Sequence, residues 1–168
     1  IEEWSDDLKS PPGEVGEIAV RGPVVTREYF GRPEATRLSK IALRNGTGGF
    51  WHRMGDLGYL DATGRLWFCG RKSQRVTAPG GDMHTIPCEA VFNTHPRVSR
   101  TALVGVRRAD ATEGDPVQPV LVVELENTRG RGRRARRDAV RRELLEMAAA
   151  RDHTRPIRTV LFHRAFPV

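Results

Sequence analysis

The chain has 168 residues, of which 38% are apolar and 29% are charged, a balance typical of a soluble, loop-rich globular fold rather than of a disordered or fibrous protein. It contains no apolar run of the roughly 18 residues that a membrane-spanning helix needs, so we expect no membrane span. Its two cysteines, Cys69 and Cys88, are too few for a disulfide framework or a four-cysteine zinc site. A reducing, cytoplasmic compartment is therefore expected.

The first 72 residues are predicted to be rich in β-strands. We expect a strand at 17–21, the first turn of a short helix at 33–36, a flexible loop at 45–49, an aromatic and basic loop at 50–53, and a hairpin with strands 57–60 and 65–69 around a turn at 61–64. Together these elements indicate a β-rich, barrel-like piece.

The remainder of the chain is predicted to mix helices and strands. We expect a strand at 74–78, a turn at 79–82, a helix capped by Thr85 and ended by His95-Pro96, strands at 101–106 and 117–125, a helix at 133–150 and a last strand at 157–162. The second helix has Val140, Leu144, Met147 and Ala148 on one stripe. The predicted class of the whole chain is thus α+β, with about three strands and two helices after residue 72.

The positive charge is concentrated in one stretch. The formal net charge is +7, and eight arginines fall in that stretch: Arg129, Arg131, Arg133, Arg134, Arg136, Arg137, Arg141 and Arg142. They are compatible with a solvated helix face or with binding to a phosphate backbone. Because no aromatic residue lies between Phe92 and Phe162 to stack on bases, we do not expect nucleic acid as the partner. A noncatalytic basic binding module remains the alternative from another functional class.

One pair of residues is suited to chemistry on a sugar. Asp56 follows Gly55, and Arg71 follows Gly70 at the far end of the predicted hairpin. A carboxylate in a glycine-flanked turn accepts two hydroxyl hydrogen bonds from a vicinal diol, and an arginine returning beside it binds the same sugar or a phosphate. From spacing alone, a structural ion pair between a turn aspartate and a surface arginine is an equal alternative.

Four segments in order resemble the adenylate-forming superfamily of acyl-CoA synthetases, luciferases and peptide-synthetase adenylation domains. They are GEIAVRG at 16–22 with YFGRPEAT at 29–36, MGDLGYLD at 54–61, GRLWFCGR at 64–71, and the segment from Gly80 to Glu89. The resemblance implies that Asp56 binds the ribose hydroxyls of ATP, that Arg71 assists at the ribose, that Ser73 is the hinge, and that Gly80 lies on a lid loop facing the active site.

The resemblance also implies a division of the chain and a nucleotide. Residues 1–72 correspond to the last β-rich subdomain of a large adenylation domain, and 73–168 to a mobile C-terminal lid. ATP and Mg²⁺ are the expected cofactors, with the metal ligands outside this chain, and no catalytic or metal-binding residue is expected within it. Because the chain starts without Met and has neither a phosphate loop nor the family's tail lysine, we expect it to be part of a longer ligase and not to adenylate a substrate alone.

Three positions depart from the family pattern. Ser73 replaces the common Asp or Lys at the hinge, Met54 replaces a Thr or Ser, and Asp82 stands where some relatives have a phosphate-contacting Arg. Glu89 matches the pattern, and its expected role is to place a negative charge near the positive end of the helix dipole. The change at Asp82 argues against a thioester-forming step with coenzyme A.

The strings WHRMGD at 51–56, LWFCGRKSQRV at 66–76 and HRAFPV at 163–168 most resemble the β-lactone synthetases of bacterial long-chain olefin biosynthesis. Such enzymes adenylate a 2-alkyl-3-hydroxy acid, whose own hydroxyl then closes the lactone and releases AMP. The expected partners are a long-chain hydroxy acid and other enzymes of the olefin pathway. The alternative reaction is that of a long-chain fatty acyl-CoA synthetase, which differs in its second step.

Overall fold

The computed structural model describes residues 1–43, 49–107, 109–112, 114–126 and 132–167. They form two compact units, Ile1–Ser73 and Gln74–Val168. The loop predicted at 45–49, apart from Gly49, lies outside the described residues, as do Arg129 and Arg131. No helix in the described ranges is long and apolar enough to cross a bilayer.

In its described residues, the first unit is built on a five-stranded sheet with one short α-helix and a 3₁₀ helix, Asp6–Leu8. Its elements are β1 Glu3–Trp4, β2 Gly16–Val20, α1 Pro33–Ser39, β3 Lys40–Leu43, β4 Phe50–Leu60 and β5 Leu66–Arg71. The strand order is β1-β3-β4-β2, and β5 also pairs with β4. The 11-residue β4 therefore organises the unit, because β2, β3 and β5 are all hydrogen-bonded to it.

The long strand β4 corrects one expectation. Residues 50–53 were expected to form a loop, but they belong to β4, where Phe50 pairs with Ala42 and Trp51 with Ile41 of β3. Aromatic side chains fit the pleated, half-buried surface that this pairing creates, and only the partner strand decides between strand and loop. The helix predicted at 33–36 extends to Ser39, with Pro33 in its first turn, where a missing amide hydrogen costs nothing.

The described part of the second unit combines a three-stranded sheet, a two-stranded hairpin and two α-helices. Its elements are β6 Val76–Ala78, β7 Gly81–Met83, α2 Thr85–Asn93, β8 Val98–Val106, β9 Gln118–Leu125, α3 Arg133–Ala149 and β10 Thr159–His163. The sheet has the order β10-β9-β8, with β9 antiparallel to β8 and parallel to β10, while β6 and β7 pair separately. The predicted α+β class is confirmed.

The core of the second unit lies between this sheet and the helices. The largest fully buried side chains include Phe92, Leu121, Val123, Val140, Leu144 and Ile157. On α3 the stripe of Val140, Leu144 and Ala148 is buried as the spacing of four predicts. Full burial of each large aliphatic side chain stabilises the fold by about 1.5–3 kcal/mol before the entropy of ordering is subtracted.

Several predicted boundaries in the second unit are wrong by a few residues. Helix α2 begins at Thr85, so the residue at its N-cap is His84 rather than Thr85. The turn predicted at 79–82 is shorter, because Gly81 pairs with Ala78 in the β6–β7 hairpin. A φ of +118° at Gly81 is a conformation that suits glycine, which explains the tight connection.

Candidate functional site

Asp56 and Arg71 are brought together by the pairing of β4 and β5. They are directly opposed in the antiparallel register, so both side chains emerge on the same face of the sheet. Arg71 Nη1 lies 2.9 Å from Asp56 Oδ1 and donates a hydrogen bond of 3.2 Å to the carbonyl oxygen of Met54. Between Met54 and Asp56, the backbone of Gly55 adopts a left-handed conformation with φ of +69°, which glycine tolerates without strain.

The carboxylate of Asp56 retains hydrogen-bonding capacity. Its side chain is 18% exposed, whereas that of Arg71 is 57% exposed. The Oδ1 atom is buried and accepts no hydrogen bond from any described residue, since the nearby guanidinium is close in distance but is not aligned as a donor to it. A buried acceptor beside an exposed cation fits hydroxyl donors of an anionic ligand, such as the ribose of a nucleotide.

The turn of the hairpin that carries this pair is held by Asp61. Its carboxylate accepts hydrogen bonds from Thr63 N at 2.9 Å, Arg65 Nε at 2.8 Å and Trp67 Nε1 at 2.9 Å. The hydrogen bonds from Trp67 and Thr63 hold the pKa of Asp61 far below its usual value. The aspartate of the predicted turn therefore has a structural role, distinct from that of Asp56.

A second ionic group in the first unit, centred on Glu17, is not among the residues that the sequence predicts for a site. Glu17 Oε2 accepts hydrogen bonds from Arg53 Nη2 at 2.6 Å and Lys72 Nζ at 2.7 Å. Burial by itself would raise the pKa of Glu17, but the hydrogen bonds and charges of Arg53 and Lys72 outweigh it and lower the pKa. The members of this group are up to 55 residues apart in the chain, so no local sequence pattern predicts it.

Ser73, the predicted hinge, lies in a 3₁₀ turn, Lys72–Gln74, at the boundary between the two compact units. The preceding residue, Lys72, is tied to β2 through Glu17. The assignment of the units to an adenylation subdomain and a mobile lid, and of Ser73 to a hinge, stays a prediction.

Gly80, the predicted lid-loop residue, lies in the exposed β6–β7 turn and lines a cavity of about 200 Å³ within the second unit. The carboxylate of Asp82 already has two partners within the second unit. Arg75 Nη1 forms an ion pair with it at 2.9 Å, and Thr77 Oγ1 donates a hydrogen bond to it at 2.8 Å. The role of Gly80 toward an active site stays a prediction.

The role expected for Glu89 is wrong. It lies beyond the first turn of α2, which contains no acidic residue, and its Oε1 accepts a hydrogen bond of 2.8 Å from the amide of Leu103 in β8. Burial raises the pKa of Glu89, and the Leu103 amide opposes that shift only in part. Glu89 therefore ties α2 to the sheet instead of compensating the helix dipole.

Two kinds of reactive centre are absent from the described residues, a metal cluster and an activated thiol. No cluster of three or more His, Cys, Asp or Glu suited to a metal occurs in the ranges that the structure describes. Both thiols are free and buried, and burial raises the pKa of Cys69, and that of Cys88 to about 11, so neither is an activated nucleophile.

Comparison with known proteins places these features in a family, although no family model matches the chain. The chain is 48% identical over 170 residues to an olefin beta-lactone synthetase of Xanthomonas campestris pv. campestris, which covers 100% of this chain and 29% of that protein. It is 40% identical over 101 residues, 60% of this chain and 19% of the relative, to a 2-succinylbenzoate–CoA ligase of Geobacillus kaustophilus.

A solved structure extends the likeness to the fold. The O-succinylbenzoate coenzyme A synthetase of Bacillus subtilis, in complex with AMP, matches with a TM-score of 0.71 at 25% identity, over 99% of this chain and 30% of that one. The chain thus spans about 29% of the length of the curated relatives that it matches throughout. It is homologous to the C-terminal region of the adenylate-forming ligases, the family that includes the olefin beta-lactone synthetases.

Proposed function

We propose that this chain supplies the ribose-binding residues and the lid of an ATP-dependent, acid-adenylating ligase that forms β-lactones. The observation that carries the proposal is the 48% identity to an olefin beta-lactone synthetase over the whole of this chain. The juxtaposition of Asp56 and Arg71 supports it independently, because it provides a polar pair of the kind that a nucleotide sugar requires.

Each residue of the pair has its own proposed role. The two ribose hydroxyls donate to the Asp56 carboxylate, whose Oδ1 has no hydrogen-bond donor among the described residues. Arg71, with more than half of its side chain exposed, contributes positive charge beside the sugar and toward the phosphate. Hydrogen bonds to a charged, partly buried acceptor are worth about 1.5–3 kcal/mol each, so Asp56 provides the larger share of the binding.

The proposed reaction has two steps at one site. A carboxylate oxygen of a long-chain 2-alkyl-3-hydroxy acid attacks the α-phosphorus of ATP, and pyrophosphate leaves, giving the acyl-adenylate. The acid's own 3-hydroxyl oxygen then attacks the acyl carbon, the bond to the AMP oxygen breaks and the hydroxyl proton is released, giving the β-lactone and AMP. ATP is the proposed nucleotide, and Mg²⁺ would be held outside the described residues of this chain.

Between the two steps, the lid of an adenylate-forming enzyme changes orientation. We assign the pivot to Ser73 and the loop that reaches the site to Gly80. The Lys72–Glu17 contact at 2.7 Å supports a pivot at this point, because it fixes the residue before Ser73 to the first unit. Since the two cysteines are buried and free, we place the reaction in the reducing cytoplasm, with other olefin-pathway enzymes as partners.

An exchange experiment tests the proposal. This chain replaces the matching segment of the Xanthomonas campestris olefin beta-lactone synthetase, giving a protein that we call the exchange enzyme. We expect it to convert ATP and a 2-alkyl-3-hydroxy acid into AMP and a β-lactone, detected by mass spectrometry, and to lose this activity with Asp56→Ala. A correctly folded exchange enzyme that releases no AMP would refute the proposal.

A second candidate reaction is the formation of a coenzyme A thioester. The 40% identity to a 2-succinylbenzoate–CoA ligase over 101 residues favours it. The residue type at position 82 disfavours it, because Asp82 stands where some relatives have a phosphate-contacting arginine, and its carboxylate is already paired with Arg75. The same assay with added coenzyme A separates the two candidates: a β-lactone formed without the thiol supports the first, and a thioester supports the second.

A further inference from the structure

The proposed ligase activity leaves the positive charge of the second unit unexplained. From residue 74 onward the sequence has 17 arginines and no lysine against 11 acidic residues, whereas residues 1–73 have 11 basic and 10 acidic residues. The excess charge is therefore a property of one unit. Arginine is the residue whose planar guanidinium suits two-point contacts with phosphate.

Within the described residues, this charge gathers at the start of α3. We call the side chains of Arg133, Arg134, Arg137, Arg141 and Arg142 the arginine surface. Asp138 neutralises Arg141 at 2.7 Å, and Arg133, Arg134 and Arg142 are exposed with no ion pair to a described residue. The first turn of α3 contains no acidic residue, so these charges oppose the helix dipole and remain uncompensated.

An aromatic side chain holds part of the arginine surface in place. The guanidinium carbons of Arg137 and Arg141 lie 5.5 Å and 5.2 Å from the ring centroid of Phe162 in β10, and Arg141 Nε donates to the carbonyl of Val160 at 3.4 Å. The Nε atom of Arg137 is buried without a partner among the described residues. Ordering these side chains in advance lowers the entropy lost when a phosphate binds.

The same packing argues against a single-stranded nucleic acid as the ligand. Single-stranded nucleic acids are bound by aromatic rings that stack on bases, but Phe162 is half-buried and is engaged by two guanidinium groups. The apolar stripe of α3, Val140, Leu144 and Ala148, is buried in the core. The helix therefore has no apolar face left to insert into a bilayer, and its contact with a charged surface is electrostatic.

We propose that the arginine surface binds the headgroups of anionic phospholipids and holds the protein at a membrane surface without insertion. The choice of a lipid rests on the proposed function in one respect. A substrate with two long alkyl chains partitions into bilayers, so an enzyme held at the membrane surface meets its substrate at a higher local concentration. Clusters of basic side chains are attracted to anionic leaflets at distances up to the Debye length.

Vesicle sedimentation of the full 168-residue chain tests this proposal without any catalytic assay. We expect binding to vesicles of phosphatidylcholine mixed with phosphatidylglycerol and none to phosphatidylcholine alone. Binding should be strong at about 0.1 M salt, where the Debye length is roughly 10 Å, and should be lost near about 1 M, where it is roughly 3 Å. Because no substrate or nucleotide is present, this result is independent of the β-lactone proposal.

A charge-reversal variant supplies the specificity test. The triple change Arg133→Glu, Arg134→Glu and Arg142→Glu should reduce vesicle binding at least about tenfold. At positions 133 and 134, in the first turn of α3, glutamate also interacts favourably with the helix dipole. The matched control reverses three exposed arginines of the first unit, Arg21, Arg27 and Arg32, with the same change in net charge. The control should bind nearly as well as the parent chain.

Three results would overturn the proposal. They are equal loss of binding in both triple variants, equal binding to vesicles with and without phosphatidylglycerol, and tighter binding to duplex DNA than to anionic vesicles at the same salt concentration. The last result would assign the arginine surface to nucleic acid instead. Circular dichroism of each variant shows whether α3 is intact.

Discussion

Asp56 and Arg71 are opposite partners on adjacent antiparallel strands, with Arg71 Nη1 2.9 Å from Asp56 Oδ1. The carboxylate is mostly buried and the guanidinium is mostly exposed. On one face of the β4–β5 hairpin, the pair therefore presents a buried hydrogen-bond acceptor, Asp56, and an exposed positive charge, Arg71. We expect substitutions of the two residues to have different effects.

The first prediction concerns Asp56. In the exchange enzyme, Asp56→Ala should raise the KM for ATP at least about tenfold, because two hydroxyl groups lose a charged acceptor worth about 1.5–3 kcal/mol for each bond. Asp56→Asn should give a smaller increase, since the amide still accepts one hydrogen bond. Steady-state kinetics of AMP release measure both values. Asp7→Ala, at an exposed position of the same unit, is the control, and an unchanged KM in Asp56→Ala would contradict the ribose assignment.

The second prediction concerns Arg71. Arg71→Ala should weaken ATP binding less than Asp56→Ala does, because the guanidinium is 57% exposed and exposed ion pairs contribute only about 0–1 kcal/mol. Its effect should also shrink as salt is added, since screening reduces exposed charge interactions. Nucleotide titration of the exchange enzyme at low and high salt measures this. A larger loss than in Asp56→Ala would reverse the roles that we give to the two residues; Arg27→Ala is the control.

The third prediction concerns the hairpin turn. Asp61→Ala should lower the thermal midpoint of the 168-residue chain, because Thr63, Arg65 and Trp67 lose a shared acceptor. The pKa of Asp61 is depressed below its ordinary value of 3.8. Its contribution to stability is therefore complete above that value and is lost as the pH falls through the lower, folded pKa. Thermal scans across the acid range should show a smaller loss of stability in Asp61→Asn than in the parent chain, since other carboxylates with lowered pKa values, such as Glu17, contribute to both.

The fourth prediction concerns Glu89, whose pKa shifts in the opposite direction. Because burial raises its folded pKa above 4.5, its contribution is most favourable below pH 4.5 and declines as the pH rises through the folded pKa. Glu89→Gln keeps an acceptor for Leu103 N without a charge, so it should equal or exceed the parent chain in stability at neutral pH. Glu89→Ala leaves that amide without its partner and should cost about 1–3 kcal/mol.

Urea unfolding at acid and neutral pH measures these differences for Glu89, with the exposed Glu146→Gln as the matched control. A Glu89→Gln variant that is much less stable than the parent at neutral pH would show that the ionised carboxylate is required. Hydrogen exchange at the Leu103 amide reports the contact directly, and faster exchange is expected in Glu89→Ala.

Local sequence patterns predicted the elements whose conformation depends mainly on neighbouring residues in the chain. The buried stripe of α3 follows from a spacing of four residues, and the hairpin that joins β4 and β5 follows from a turn sequence between apolar and aromatic runs. The strand at 50–53 is an exception, because its aromatic and basic residues show no simple alternation. Its pairing with β3 decides its conformation.

For the candidate site, too, the sequence predicted some of the charged groups and not others. The motifs identified Asp56 and Arg71, and the structure brings them together. The Glu17 group was not predicted, since Arg53 and Lys72 reach it from other strands and from the unit boundary. The error at Glu89 has the same origin: position along a helix suggests a dipole role, whereas the neighbouring strand β8 supplies its actual partner.

The sequence by itself indicated the family, through four motifs in order, and the α+β class, through hydrophobic periodicity, which acts over a few neighbouring residues. The family resemblance then implied that Asp56 and Arg71 form a candidate ribose site. Only the tertiary structure decided which charged groups meet: Glu17 with Lys72, Glu89 with the Leu103 amide, and Arg137 and Arg141 with Phe162. Strand register and helix packing fix those contacts, since they join residues that are far apart in the chain. The same packing raises the pKa of Glu89 by burial, whereas at Glu17 the effect of burial is outweighed by the hydrogen bonds from Arg53 and Lys72.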